Sequence, residues 1–174
     1  GWFDDHQLAD GGWNCEWQTG STRSSYHSTL NALEALLFRE VYGPAGESLA
    51  PLRRGGEEYL LSRGLRLRAS TGEQVGPWAT LLAYPPRYRY DLLRALDYFR
   101  RAAAVDGAPP DARLAEAIGI VRAKRIAGGR WLQEANLPGQ EWFPIDVAVG
   151  EPSPWLTFYA TRVLRWWDSE QKNA

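Results

Sequence analysis

Between residues 27 and 41, Leu30, Leu33, Leu37 and Val41 recur three or four positions apart with mostly polar residues between them. That spacing lines one face of a helix with a 3.6-residue repeat. It predicts an amphipathic helix capped by Ser24 or Ser25 and stopped at Gly43-Pro44. The same period recurs along the chain. A second helix is expected over 56–68 and a short one over 78–83, ending at Pro85-Pro86. In "YRYDLLRALDYFRRAAA" the stripe is Leu92, Leu96, Phe99 and Ala103; in "PPDARLAEAIGIVRAKR" it is Leu114, Ala117, Ile118 and Val121. "SPWLTFYATRVLRWW" places Ser153 at the N-cap, Pro154 at the first helical position and Leu156, Ala160, Val163 and Trp167 on one face. Only 142–150, "WFPIDVAVG", has strand character. The pattern predicts an all-α chain of antiparallel helical hairpins joined by Gly/Pro turns, as a single helical domain over 1–174.

The turns themselves repeat. "QLADGGW" at 7–13 has a counterpart in "RIAGGRW" at 125–131. In each, a helix end runs into a Gly-Gly turn closed by a tryptophan, and another amphipathic helix follows. Glycine in the left-handed region suits the end of a helix. The tryptophan is expected to lie back over that end and give its N–H to a free carbonyl.

Composition narrows the setting. The chain has 174 residues, enough for a substantial core. The formal charge of −1 offers no field for nucleic acid or an anionic membrane surface. No apolar run approaches the roughly 20 residues of a transmembrane helix. The single Cys15 cannot form an internal disulfide, so a reducing, cytoplasmic setting is expected. Nine Trp and eight Tyr are an unusual load, and there is no Met. No Gly-rich phosphate loop is present, since "RRGGEE" at 53–58 lacks the Lys-Ser/Thr pair. His6 is expected to be solvated at a polar helix end.

At the repeated turns the chain resembles the terpenoid cyclase and protein prenyltransferase superfamily, whose repeats carry a Q-x-x-D-G-x-W turn. Gln7, Asp10, Gly11 and Trp13 match it; the second copy keeps Gly129 and Trp131 and has Arg125 in place of Gln. "YHSTLNALEAL", "YPPRYRYDLLRALDYFR" and "PWLTFYATRVLRWW" extend the likeness to bacterial squalene-cyclase-like, prenyltransferase-repeat proteins. The resemblance implies an α/α toroid. Five or six helices make about half a ring, so the segment is expected to be part of a longer chain, its C-terminal half. The missing half, or a partner chain, would complete the toroid. The D-x-D-D acid of the cyclases is absent from the segment: "WFDD" has Trp2 in the first place. Catalysis is therefore left open.

The resemblance also implies candidate sites. Trp17, Tyr26, Tyr88, Tyr90, Trp155 and Tyr159 stand at or just before helix starts and are expected to line an apolar cavity for an isoprenoid or terpenoid ligand. An alternative is a zinc-dependent prenyltransferase-like site, with zinc a candidate cofactor held by Cys15, His27 and Asp10. On that expectation Cys15 and His27 share a concavity with Trp17, Tyr26 and Tyr159. A further alternative is a non-catalytic helical scaffold that binds a protein partner. Arg87, Arg89 and Asp91 are either a diphosphate clamp or surface ion pairs.

Overall fold

The computed structural model describes residues 1–44 and 49–173, the last three as backbone. The backbone forms two compact units, Gly1–Arg63 and Gly64–Ala174. About half of the chain is helical. The described residues also contain one short antiparallel ladder, so the chain is not purely α.

The first unit holds α1 (Trp2–Asp5), a 3-10 turn (Trp17–Thr19), α2 (Tyr26–Tyr42) and α3 (Ala50–Leu61). Helix α2 starts where the cap chemistry places it: Ser25 Oγ accepts from the Ser28 N–H. Its buried face carries Leu30, Leu33, Leu36 and Leu37. Val41, expected on that face, is 46% exposed, and Leu36 takes the inward position instead.

Helix α3 lies earlier than the 56–68 expectation. Pro51 sits in its first turn, where proline needs no N–H partner. The helix ends at Ser62, and beyond that cap Gly64 and Leu65 take φ of +51° and +63°, in the left-handed region. Helices α2 and α3 run antiparallel, since Arg53 meets Glu40 while Tyr59 meets Tyr26. Arg53 is fully buried and bonds Glu40 at 2.6 Å and Glu57 at 3.0 Å. The two carboxylates supply opposite charge and acceptors to a guanidinium removed from water.

The second unit holds a 3-10 turn (Pro77–Ala79), α4 (Leu92–Asp106), a 3-10 turn (Ala112–Leu114), α5 (Ala115–Ala123), β1 (Trp131–Leu132), β2 (Pro152–Ser153) and α6 (Pro154–Asn173). Strands β1 and β2 pair antiparallel, Trp131 opposite Ser153. The strand expected over 142–150 is a loop, and the helix expected over 78–83 is reduced to its 3-10 turn. Past that turn the chain extends to bond residues 133 and 134: Leu82 O accepts from the Glu134 N–H, and the Tyr84 N–H donates to Gln133 Oε1.

The stripes of α5 and α6 are buried as their spacing predicts, and Leu92, Leu96 and Phe99 of α4 likewise. Asp91 caps α4 by accepting from the Arg94 N–H at 2.9 Å. Asp97 of α4 is a buried hub. It accepts two bonds from Arg162 of α6, at 2.7 and 2.5 Å, and pairs with Arg100 and Arg101 of its own helix. Among the described residues, no helix is long and apolar enough to cross a membrane.

Candidate functional site

The two Gly-Gly turns share one hydrogen-bond pattern. Trp13 and Trp131 are each 1% exposed. The Trp13 indole donates to Phe3 O of α1 at 2.8 Å, and the Trp131 indole to Val121 O of α5 at 2.7 Å. The Trp13 N–H donates to Thr29 Oγ1 and the Trp131 N–H to Thr157 Oγ1, both at 3.1 Å. Each threonine lies in the first turn of the next helix, whose N-cap serine, Ser25 or Ser153, lies against the tryptophan backbone. The turns close alike too, Leu8 N–H to Gly12 O and Ile126 N–H to Arg130 O, each 2.9 Å. The positive-φ glycines lie in these loops rather than at the helix caps: Gly11 stands six residues after α1 and Gly129 six after α5.

In the first unit Gln7 and Asp10 serve this turn. The Gln7 amide donates to Gly11 O at 2.7 Å and to Leu52 O at 3.0 Å. Asp10 accepts from the Ser24 hydroxyl at 2.5 Å and the Ser24 N–H at 3.2 Å, fixing the entry to α2. Cys15 is exposed and its N–H donates to Ser28 Oγ. It borders an apolar recess of about 310 Å³ with Trp2, Phe3, Trp13 and Asn31; His27, Tyr26 and Trp17 are not in that wall.

Tyr26 is buried edge-on against Tyr59. Trp17 instead meets His6, which is not solvated alone: it stacks on Trp2 at 4.6 Å and bonds Trp2 O. Zinc needs three protein donors around one point. Among the described residues no group of three or more His, Cys, Asp and Glu side chains offers that, so Cys15, His27 and Asp10 do not form such a set.

The other four aromatic candidates lie in the second unit and separate there. Tyr90 belongs to the core, its hydroxyl donating to Leu65 O at 2.6 Å and its ring edge-on to Trp78. Tyr88 is exposed. Trp155 and Tyr159, one turn apart on α6, come together around Tyr84. The Tyr84 ring stacks on Trp155 at 4.9 Å, with planes 12° apart, and tilts against Tyr159 at 5.9 Å. Arg162 lies over the Tyr159 ring at 4.3 Å. Burial raises the Tyr84 hydroxyl above its ordinary pKa, and neighbouring Tyr159 and Asp146 push the same way.

Tyr84 also forms one wall of a cavity of about 530 Å³. The loop 137–148 supplies much of the rest, including Leu137, Trp142, Phe143, Pro144 and Val147. Trp142 is 86% and Phe143 69% exposed, a large apolar area presented by a loop. Gln133 anchors the inner side, its amide donating to Tyr84 O at 2.8 Å. Arg87 reaches Glu141 on the same loop at 2.9 Å, a surface ion pair, while Asp91 is spent on the α4 cap.

Sequence reasoning named Trp155 and Tyr159 but not Tyr84, Trp142, Phe143 or Asp146. A signal was present. Successive strand residues point to opposite faces, so adjacent Trp142 and Phe143 before Pro144 cannot both be sheltered by one strand face.

Compared with family models, curated proteins and solved structures, the chain matches none of them.

Proposed function

We propose that the protein binds an apolar small molecule, isoprenoid in class, in the aromatic-walled cavity of its second unit. The observation that carries this is the cavity of about 530 Å³ walled by Tyr84, Trp142 and Phe143, with Tyr84 stacked in turn on Trp155. Small-molecule sites of roughly 300 to 1,000 Å³ are mostly apolar with a few fixed polar groups. Here Gln133 and Asp146 are such groups. Exposed rings beside a concavity gain about 25 cal/mol per Å² of apolar surface that a ligand covers.

The isoprenoid class rests on the likeness of the Q-x-x-D-G-x-W turns to those of the α/α-toroid superfamily, supported by the geometric recurrence of the turn at Trp13 and Trp131. The proposal is one of binding; no reaction is assigned.

Calorimetric titration with geraniol, a neutral isoprenoid alcohol, tests it. Saturable one-to-one binding is expected, lost in the double variant Trp142→Ala, Phe143→Ala. Both side chains are exposed, so that variant should unfold within about 0.5 kcal/mol of the parent. No saturable binding, or undiminished binding by a folded double variant, overturns the reading.

A further inference from the structure

The charge of the cavity wall says more than its apolar area. Two carboxylates, Asp146 and Glu141, line it, and no Lys, Arg or His does among the described residues. Glu141 is offset by Arg87 at 2.9 Å. Among the described residues Asp146 has no such cation. Its Oδ2 accepts from the Ser153 hydroxyl at 2.5 Å, and its Oδ1 is buried with no hydrogen-bond partner among the described residues. Ser153 in turn accepts from the Leu156 N–H at the start of α6. The helix N-terminus behind Ser153 presents only a partial positive charge, and it reaches the carboxylate through that hydroxyl.

A carboxylate oxygen shut off from water without a hydrogen bond is costly unless something supplies opposite charge. The rings of Tyr84, Trp142 and Phe143 share this wall. Aromatic faces carry the negative lobe of the ring quadrupole and attract cations, most strongly where water is excluded. Carboxylate and rings therefore act with one sign. A phosphate or diphosphate placed in the same cavity meets repulsion from Asp146 and finds no guanidinium or ammonium in the wall.

We infer that this cavity is selective for a ligand bearing a protonated amine on an apolar body, with Asp146 and the aromatic wall as its cation subsite. The inference rests on the proposed binding function and specifies the head group that the site accepts. Asp146 is placed to act through its field on a cation lying against the rings. Ser153 holds it in position, which keeps the charge from swinging out to water.

The test compares ligands that share one tail: geraniol, geranylamine and geranyl phosphate, titrated at neutral pH into the unmodified protein, Asp146→Asn and Glu141→Gln. In the unmodified protein geranylamine is expected to bind roughly tenfold more tightly than geranyl phosphate, equivalent to about 1.4 kcal/mol. Asp146→Asn keeps an oxygen for the Ser153 hydroxyl and should bring the ratio close to one while geraniol still binds. Glu141→Gln should leave most of the preference, because Arg87 already offsets that charge. Phosphate binding as tightly as amine to the unmodified protein overturns the inference without need of any variant, as does an undiminished preference in a folded Asp146→Asn protein. If geraniol binds and the two charged heads are not distinguished, the head-group inference alone falls. If none of the three ligands binds, the cavity reading falls with it.

Discussion

The indole N–H of Trp131 donates to the carbonyl of Val121, ten residues earlier, at 2.7 Å. This one bond ties the loop after α5 back onto the last turn of that helix, while the same residue's backbone N–H reaches Thr157 at the start of α6. One tryptophan thus fixes the exit of one helix and the entry of the next.

Trp131→Phe keeps an aromatic ring and removes the donor. Among the described residues the Val121 carbonyl then keeps the Lys124 N–H alone, at 3.3 Å. Loss of about 1 to 3 kcal/mol is expected, against about 3 to 5 kcal/mol for Trp131→Ala, which adds a cavity. Urea denaturation gives both numbers. Equal losses for the two variants would show that the ring's volume, and not its N–H, is what matters.

Two helix-internal glycines should respond to alanine in opposite directions. At Gly56 of α3 an added Cβ falls 2.6 Å from the Trp13 ring and 2.9 Å from Leu33 Cδ2. Both neighbours are packed, so Gly56→Ala should destabilise by about 1 to 3 kcal/mol despite its better helix propensity. At Gly119 of α5 nothing lies within 4 Å of such a Cβ. Gly119→Ala should therefore stabilise by about 0.4 to 1 kcal/mol, through propensity and a less flexible unfolded chain. Thermal melts of the two variants decide; a stabilised Gly56→Ala would remove the claim that α3 needs this close approach.

Tyr59 predicts an alkaline limit. Burial raises its phenol from 10.0 to about 12, with Arg63 opposing and Asp10 adding to the rise. Its hydroxyl donates to Ser24 O, a bond that needs the proton. The folded state holds the proton more tightly than the unfolded state. The associated stability is therefore complete below pH 10 and is lost as pH rises from about 10 to about 12, by on the order of 2 to 3 kcal/mol. Tyr59→Phe should be less stable at neutral pH and lose less over that window. Ultraviolet titration should lack the phenol that ionises near pH 12. A variant whose stability falls in parallel with the parent's would assign the alkaline loss to other groups.

Much of the local structure was legible from neighbouring residues. Ser25 and Ser153 precede apolar stripes and cap α2 and α6, because a cap requires only a hydroxyl and a free N–H two or three residues on. The Gly-x-Trp likeness between 7–13 and 125–131 predicted two equivalent indole bonds, and both are present. Helix α3 starts before its expected limit at Gly56, and Gly55-Gly56 falls inside it. That pair is required by contact with Gln7 and the Trp13 ring, a demand set by residues more than forty positions away.

Periodicity and cap chemistry are short-range, so the sequence alone determined the helices α2, α4, α5 and α6, most of their buried faces and the repeated tryptophan turn. The tertiary structure decided what no short window contains. It brought Tyr84 against Trp155, turned 142–150 from an expected strand into the loop that presents Trp142 and Phe143, and put Asp146 in the same wall with no cation beside it among the described residues. Those outcomes depend on which backbone groups residues 82–84 and 131–134 find as partners. Hydrogen bonds between segments some fifty residues apart obey no local period, and the candidate site is built on them.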